Sequence, residues 1–147
     1  MFLDDISKIP KEGRLLGIDL GNKTIGLALS DINQTVATAY STLRRDKFSK
    51  DVLILQEIIA KEEVQALVIG LPLNMDGTEG KMCQSIRQFA RNTLKEFEIP
   101  IFFQDERMSS NAVDRAMLEA DLSRAKRKER KDELAAAYIL QSALDRL

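Results

Sequence analysis

The 147-residue chain has no histidine, no tryptophan and one cysteine. Without histidine it cannot run Ser-His-Asp or Cys-His nucleophilic catalysis, imidazole acid/base chemistry or an H-E-x-x-H zinc site. Cys83 alone permits neither an intrachain disulfide nor a cysteine-rich zinc site, and it fits a reducing, cytoplasmic compartment. No run approaches the roughly 20 apolar residues of a membrane span. Residues 1–13 mix Asp4, Asp5, Lys8, Lys11 and Glu12 among their apolar positions, which makes neither a signal peptide nor an anchor, so no membrane partner is expected. Lys+Arg number 22 and Asp+Glu 23, a net charge of −1, so overall charge names no partner class either. What remains for hydrolytic chemistry is oxygen: carboxylates, hydroxyls and the hard cations they hold, chiefly Mg²⁺ or Mn²⁺.

What is present is the material of one globular domain. With 44% hydrophobic and 31% charged residues, a chain of this size supports a single core without staples. No repeat, low-complexity tract or Pro/Gly/Ser linker divides it, so residues 1–13 read as an N-terminal extension and 14–147 as one domain.

Residues 14–20 (RLLGIDL) and 24–30 (TIGLALS) are short apolar runs joined by Gly21, Asn22 and Lys23, the pattern of a β-hairpin. Residues 35–43 (TVATAYSTL), rich in β-branched side chains, predict a third antiparallel strand. From 49 to 62 the period becomes helical, with Val52, Leu55, Ile58 and Ile59 on one face. Residues 66–71 (ALVIGL) form a continuous apolar run, as a strand covered on both faces would. After a loop at 73–80, a second helix carries Met82, Cys83, Ile86, Phe89, Ala90, Leu94 and Phe97 as its buried stripe. A strand follows at 99–104 (IPIFFQ), then a helix capped by Ser109 or Ser110, and a last helix over 131–146. The order predicts an α/β fold with a mixed five-stranded sheet, three antiparallel strands then parallel α/β units, and helices on both faces.

Three acids stand where such a sheet could use them. Strand alternation puts Asp19 on one face with Leu15 and Gly17, beside a neighbouring strand whose Thr24, Gly26, Ala28 and Ser30 are all small. That stripe leaves room for a ligand or for a closely packed helix. Glu106 follows an apolar strand directly, at the carboxyl end where open α/β sheets place their ligands. Asp132 falls on the stripe of Ala135, Ala136, Ile139 and Ala143. Each acid also has a structural reading: a turn partner for Asp19, a solvated loop acid paired with Arg107 for Glu106, and a favourable dipole contact in the first turn of the last helix for Asp132. Residues 124–131 (RAKRKERK) concentrate six basic residues against one acid, a footprint for phosphate backbones or a solvated loop.

The motifs DLGNKTIGLA (19–28), GLPLNMDGTE (70–79) and DERMSS (105–110), with the last helix from Asp132 to Ser142, resemble those of the YqgF (RuvX) family in the same order across roughly 14–145. Members of that family are described as Holliday junction resolvases and as nucleases maturing small-subunit ribosomal RNA. The departures are modest: Met108 and Ser110 stand for the usual Leu and Thr, and Arg130 for a common Lys. The resemblance implies a ribonuclease H-like fold and an acidic site of Asp19, Glu106 and Asp132 as both catalytic residues and metal ligands. It implies one or two Mg²⁺ or Mn²⁺ ions and hydrolysis of nucleic-acid phosphodiesters, with metal-activated water in the role of the missing imidazole. Asp31, Asp105 and Glu133 are the candidates for a fourth acid. Lys23, Arg107, Arg124, Lys126, Arg127, Lys128, Arg130 and Lys131 are the expected nucleic-acid contacts. Maturation of the 5′ end of pre-16S rRNA, with ribosomal particles as partners, is the expected role. The alternatives are junction resolution in DNA recombination, suited to a homodimer rather than a monomer, and a non-catalytic nucleic-acid-binding domain.

Overall fold

The computed structural model describes residues 1–106 and 130–147 in full, with the helical backbone of 124–129. Chain order is β1 (Phe2–Leu3), a 3-10 turn (Ile6–Lys8), β2 (Arg14–Leu20), β3 (Thr24–Ser30), β4 (Ala37–Arg44), α1 (Phe48–Glu62), β5 (Val64–Leu71), α2 (Lys81–Glu96), β6 (Ile101–Asp105) and α3 (Arg124–Leu144). The helix expected after Ser109 or Ser110 lies outside the described residues. Among the described residues, no helix is long and apolar enough to cross a membrane.

The strands form one sheet in the order β1-β6-β5-β2-β3-β4. β2, β3 and β4 pair antiparallel, as the hairpin pattern predicts, whereas β5 pairs parallel with β2 and β6 parallel with β5. Among the described residues the sheet has six strands rather than five. Phe2 and Leu3 of the N-terminal extension pair parallel with Ile101 and Phe102, and Leu3 and Ile9 are buried. A two-residue strand has no periodicity to read, because its partner on β6 alone defines it.

Alternation divides each central strand between two cores. Leu16, Ile18 and Leu20 of β2 join Ile25 and Leu27 of β3 and Leu67 and Ile69 of β5 beneath α1 and α2. Leu15, Ala28, Ala66 and Val68 face the other way, onto Ala136, Ile139, Leu140 and Ala143 of α3. A helix can lie this close to a sheet only where the sheet is smooth. A methyl group at Gly17 would come within 2.8 Å of Leu140 Cβ, and one at Gly70 within 2.6 Å of Ile139 Cδ1. At Gly26 it would strike the Asp132 carbonyl oxygen. The stripe of small residues on β3 therefore seats a helix.

α3 already includes Arg124, seven residues before the expected start, so the basic run is helical rather than a solvated loop. Ala, Arg, Lys and Glu are good helix formers, and continuity with the apolar stripe outweighs their mutual repulsion. Asp132 thus sits two turns inside the helix, and the dipole contact of a first-turn acid does not apply to it.

Candidate active site

β2, β5 and β6 run parallel, so their carboxyl ends lie along one edge of the sheet, where Asp19 is the next-to-last residue of β2 and Glu106 directly follows β6. Asp19 pairs with Gly26, and the register Ile18↔Ile69 continues to set Asp19 beside Gly70. These two glycines decide the site. The Asp132 carbonyl rests on Gly26, which carries α3 across β3 at the level of Asp19, and a methyl group at Gly70 would come within 2.9 Å of the Glu106 carboxyl carbon. Each flanking acid is therefore seated against a glycine neighbouring Asp19.

Asp19 is half-buried, and its carboxyl accepts no hydrogen bond among the described residues. Burial, and after it the nearby charge of Asp132, pushes its pKa from 3.8 up to about 6. Asp132 is oriented by a 2.7 Å hydrogen bond donated by Thr24 Oγ1 to its Oδ2. Thr24 was not expected to act. Its signal was the small-residue stripe of β3, read only as space. Arg45 is a second unexpected contributor. Its guanidinium donates to Gly21 O at 2.6 Å and its backbone N–H to Lys23 O at 2.9 Å, clamping the turn that follows Asp19. Among the described residues, no three acids converge tightly enough to form a complete metal site as the side chains stand.

The candidates for a fourth acid separate clearly. Asp31 lies at the opposite end of the hairpin, where its carboxylate accepts from Thr35 N, Thr35 Oγ1 and Val36 N at 2.7 to 2.9 Å. Those bonds hold its pKa down at about 2. It shapes the β3–β4 turn and stands away from the site, because consecutive antiparallel strands put Asp19 and Asp31 at opposite ends. Asp105 is exposed, and alternation from Gln104 directs it to the face opposite α3. Glu133 follows Asp132 on α3 and pairs with Arg130 at 2.9 Å.

Of the expected nucleic-acid contacts, Lys23 is exposed in the β2–β3 turn at the site's edge, and Arg130 and Lys131 are exposed on α3 next to Asp132. Arg107 and the side chains of Arg124, Lys126, Arg127 and Lys128 lie outside the described residues. The loop at 73–80 follows β5 along the same edge. Asn74 and Thr78 cross-link it through backbone and side chain, and Arg87 of α2 holds its Glu79 by two bonds of 2.7 and 2.8 Å.

A mixed sheet of this order, three antiparallel strands followed by parallel α/β units with helices on both faces, is a ribonuclease H-like fold. Structures of that type match nearly the whole chain. RuvC of T. thermophilus bound to a Holliday junction superposes with a TM-score of 0.56 at 13% identity, over 91% of this chain and 95% of that one. The fowlpox virus Holliday junction resolvase gives 0.54 at 10% identity, over 91% and 99%. The chain belongs to the RuvX family, described as a Holliday junction resolvase, whose model matches residues 13–146. Curated relatives share half its sequence. A protein of Rhodobacter capsulatus is 52% identical over 146 residues, covering 99% of this chain and 92% of its own. One of Paramagnetospirillum magneticum is 51% identical over 140 residues, covering 95% and 90%. Both carry the provisional name pre-16S rRNA nuclease.

Proposed function

We propose that the protein is a divalent-metal-dependent endonuclease that hydrolyses phosphodiesters of pre-16S rRNA during maturation of its 5′ end. The observation that carries this reading is the Asp19–Asp132 pair. Asp19 stands at the carboxyl edge of the sheet beside the glycine on which the Asp132 carbonyl rests, and burial, with the charge of Asp132 after it, pushes Asp19 up to a pKa of about 6. Evolution toward stability alone would replace Asp19, since an ionised carboxylate without hydrogen bonds is a net cost to folding. The donor set, two aspartates with Glu106 nearby, fits a hard cation with oxygen ligands such as Mg²⁺ or Mn²⁺.

When bound, such an ion supplies Lewis-acid stabilisation of the charge that develops at phosphorus. The chain's own residues do the rest. Asp19, on the central strand and beside the clamped Gly21–Thr24 turn, is the fixed ligand. Thr24 holds Asp132 in one rotamer, the outer-shell bond that orients a carboxylate ligand. Glu106, seated against Gly70 beside Asp19, is the third proposed ligand. Lys23, Arg130 and Lys131 bind phosphates flanking the scissile one, and the proposal extends that role to Arg107, Arg124, Lys126, Arg127 and Lys128. The proposed setting is the cytoplasm, with ribosomal precursor particles as partners.

The test is cleavage of a pre-16S rRNA fragment and a DNA four-way junction in parallel, with Mg²⁺, Mn²⁺ or chelator. Cleavage of the RNA that needs both metal and Asp19 is the expected result, with Asp19→Asn losing turnover but retaining binding. Cleavage confined to the junction makes the protein a resolvase. Wild-type rates from Asp19→Asn refute the assignment of the site.

A further inference from the structure

At its β1 edge the sheet carries an aromatic and cationic groove that the acidic site does not use. Of six phenylalanines, only Phe2 stands exposed, at 44%. Its ring stacks on Phe103 with centroids 5.6 Å apart and planes at 24°, and the Arg87 guanidinium lies 4.9 Å from the Phe103 centroid. A cavity of about 430 Å³ opens beside the stack, lined by Phe2, Asp4, Arg87, Arg91 and Phe103 among others. That is ample for a flat ring.

The charges around it are unequally matched. Arg87 is held by Glu79, and Asp4 is tied to Lys8 at 2.7 Å. Arg91 donates to Gln88 Oε1 at 2.9 Å and forms no ion pair among the described residues. Exposed Lys95 follows one turn along α2. Both acids are thus already paired, while one guanidinium is left beside an exposed aromatic ring. This combination suits an unpaired nucleotide, whose base stacks on the ring while its phosphate meets the guanidinium.

Alternation sets Phe103 with Ile101 on the α1 and α2 face of the sheet, so the groove lies on the face opposite α3 and reaches the acids only around the carboxyl edge. β1 ends at the Leu3↔Phe102 pair, and Glu106 lies three residues beyond Phe103, about 10 Å along the strand. The loop at 73–80, anchored through Glu79 to Arg87, bridges the groove and the carboxyl edge of the sheet. We propose that the groove at Phe2 and Arg91 binds an unpaired nucleotide of the substrate, on a flank that passes around the carboxyl edge of the sheet from the scissile phosphate. The proposal rests on the nuclease reading and deepens it: a single-stranded flank satisfies the groove, and a fully paired four-way junction leaves it empty.

The test is binding of the full chain, in chelator at fixed salt, to an RNA hairpin with a single-stranded flank and to the same hairpin with a blunt end. Phe2→Leu should weaken binding to the flanked hairpin roughly tenfold. It should leave the blunt hairpin within about twofold, and Phe2→Tyr should bind as wild type. Arg91→Gln should weaken the flanked complex and flatten its log K against log salt slope by about 0.7. Unchanged urea midpoints establish that the variants fold. The groove is overturned if wild type cleaves the flanked hairpin with metal while Phe2→Leu and Arg91→Gln bind it equally well. If wild type neither binds nor cleaves either RNA, the nuclease reading falls and the groove falls with it.

Discussion

Replacing Asp19 with Asn should remove function and raise stability together. The two effects share one cause, a carboxylate that folding disfavours and the proposed metal site requires. A rise in pKa from 3.8 to about 6 corresponds to about 3 kcal/mol of lost stability when the group is ionised in both states. Asp19 is only half-buried, so solvent screening brings the expected gain for Asp19→Asn at pH 7.5 down to about 1–2 kcal/mol. The sign follows from the proton count. Because the folded value lies above the unfolded one, the folded state holds the extra proton between them, and wild-type stability falls as pH rises from about 4 through about 6. The advantage of Asn should therefore vanish below pH 4, grow through that window and level off above it. Urea unfolding of both proteins in chelator, at pH 4 and pH 7.5, measures the difference while other titrating groups cancel. Saturating Mg²⁺ should then raise the stability of wild type and not of Asp19→Asn, if Asp19 is a ligand as proposed. An Asn variant that is no more stable at pH 7.5, or equally favoured at both pH values, would refute the reasoning.

Gly26→Ala places a methyl group against the Asp132 carbonyl. Because a helix backbone cannot rotate away, it should cost about 3 kcal/mol in urea unfolding and cut cleavage with it. Thr24→Val removes the 2.7 Å bond to Asp132 and should slow cleavage by about tenfold, with Thr24→Ser within about twofold; equal rates for all three would remove Thr24 from the site. Asp31→Ala should lower stability above the ordinary carboxylate range. Its hydrogen-bonded carboxylate is held at about 2, so the deficit should shrink as pH falls from 3.8 through that value; a deficit independent of pH would show that the turn needs no charge there.

The hairpin and the two faces of each central strand were legible from residue patterns because alternation and helical spacing are local. Leu15, Gly17 and Asp19 share a face for any β2 whatever surrounds it, and a strand that is apolar on both faces, such as β5, demands cover on both sides. Motif order across more than a hundred residues made Asp19, Glu106 and Asp132 one candidate set. Other features had no local trace. The strand at Phe2 and Leu3 exists only because β6 offers an open edge, and α3 reaches back to Arg124 because its buried stripe holds it against the sheet. Asp31 and Asp105 were indistinguishable from ligands as letters, and the antiparallel turn and the strand pleat separated them. Composition excluded histidine chemistry outright, since an absent side chain stays absent in every fold. Which carboxylates share an environment, how far burial lifts one of them, and that Thr24 steadies another were decided by the three glycines that let α3 lie against the sheet, a matter of distance between segments that no local pattern encodes.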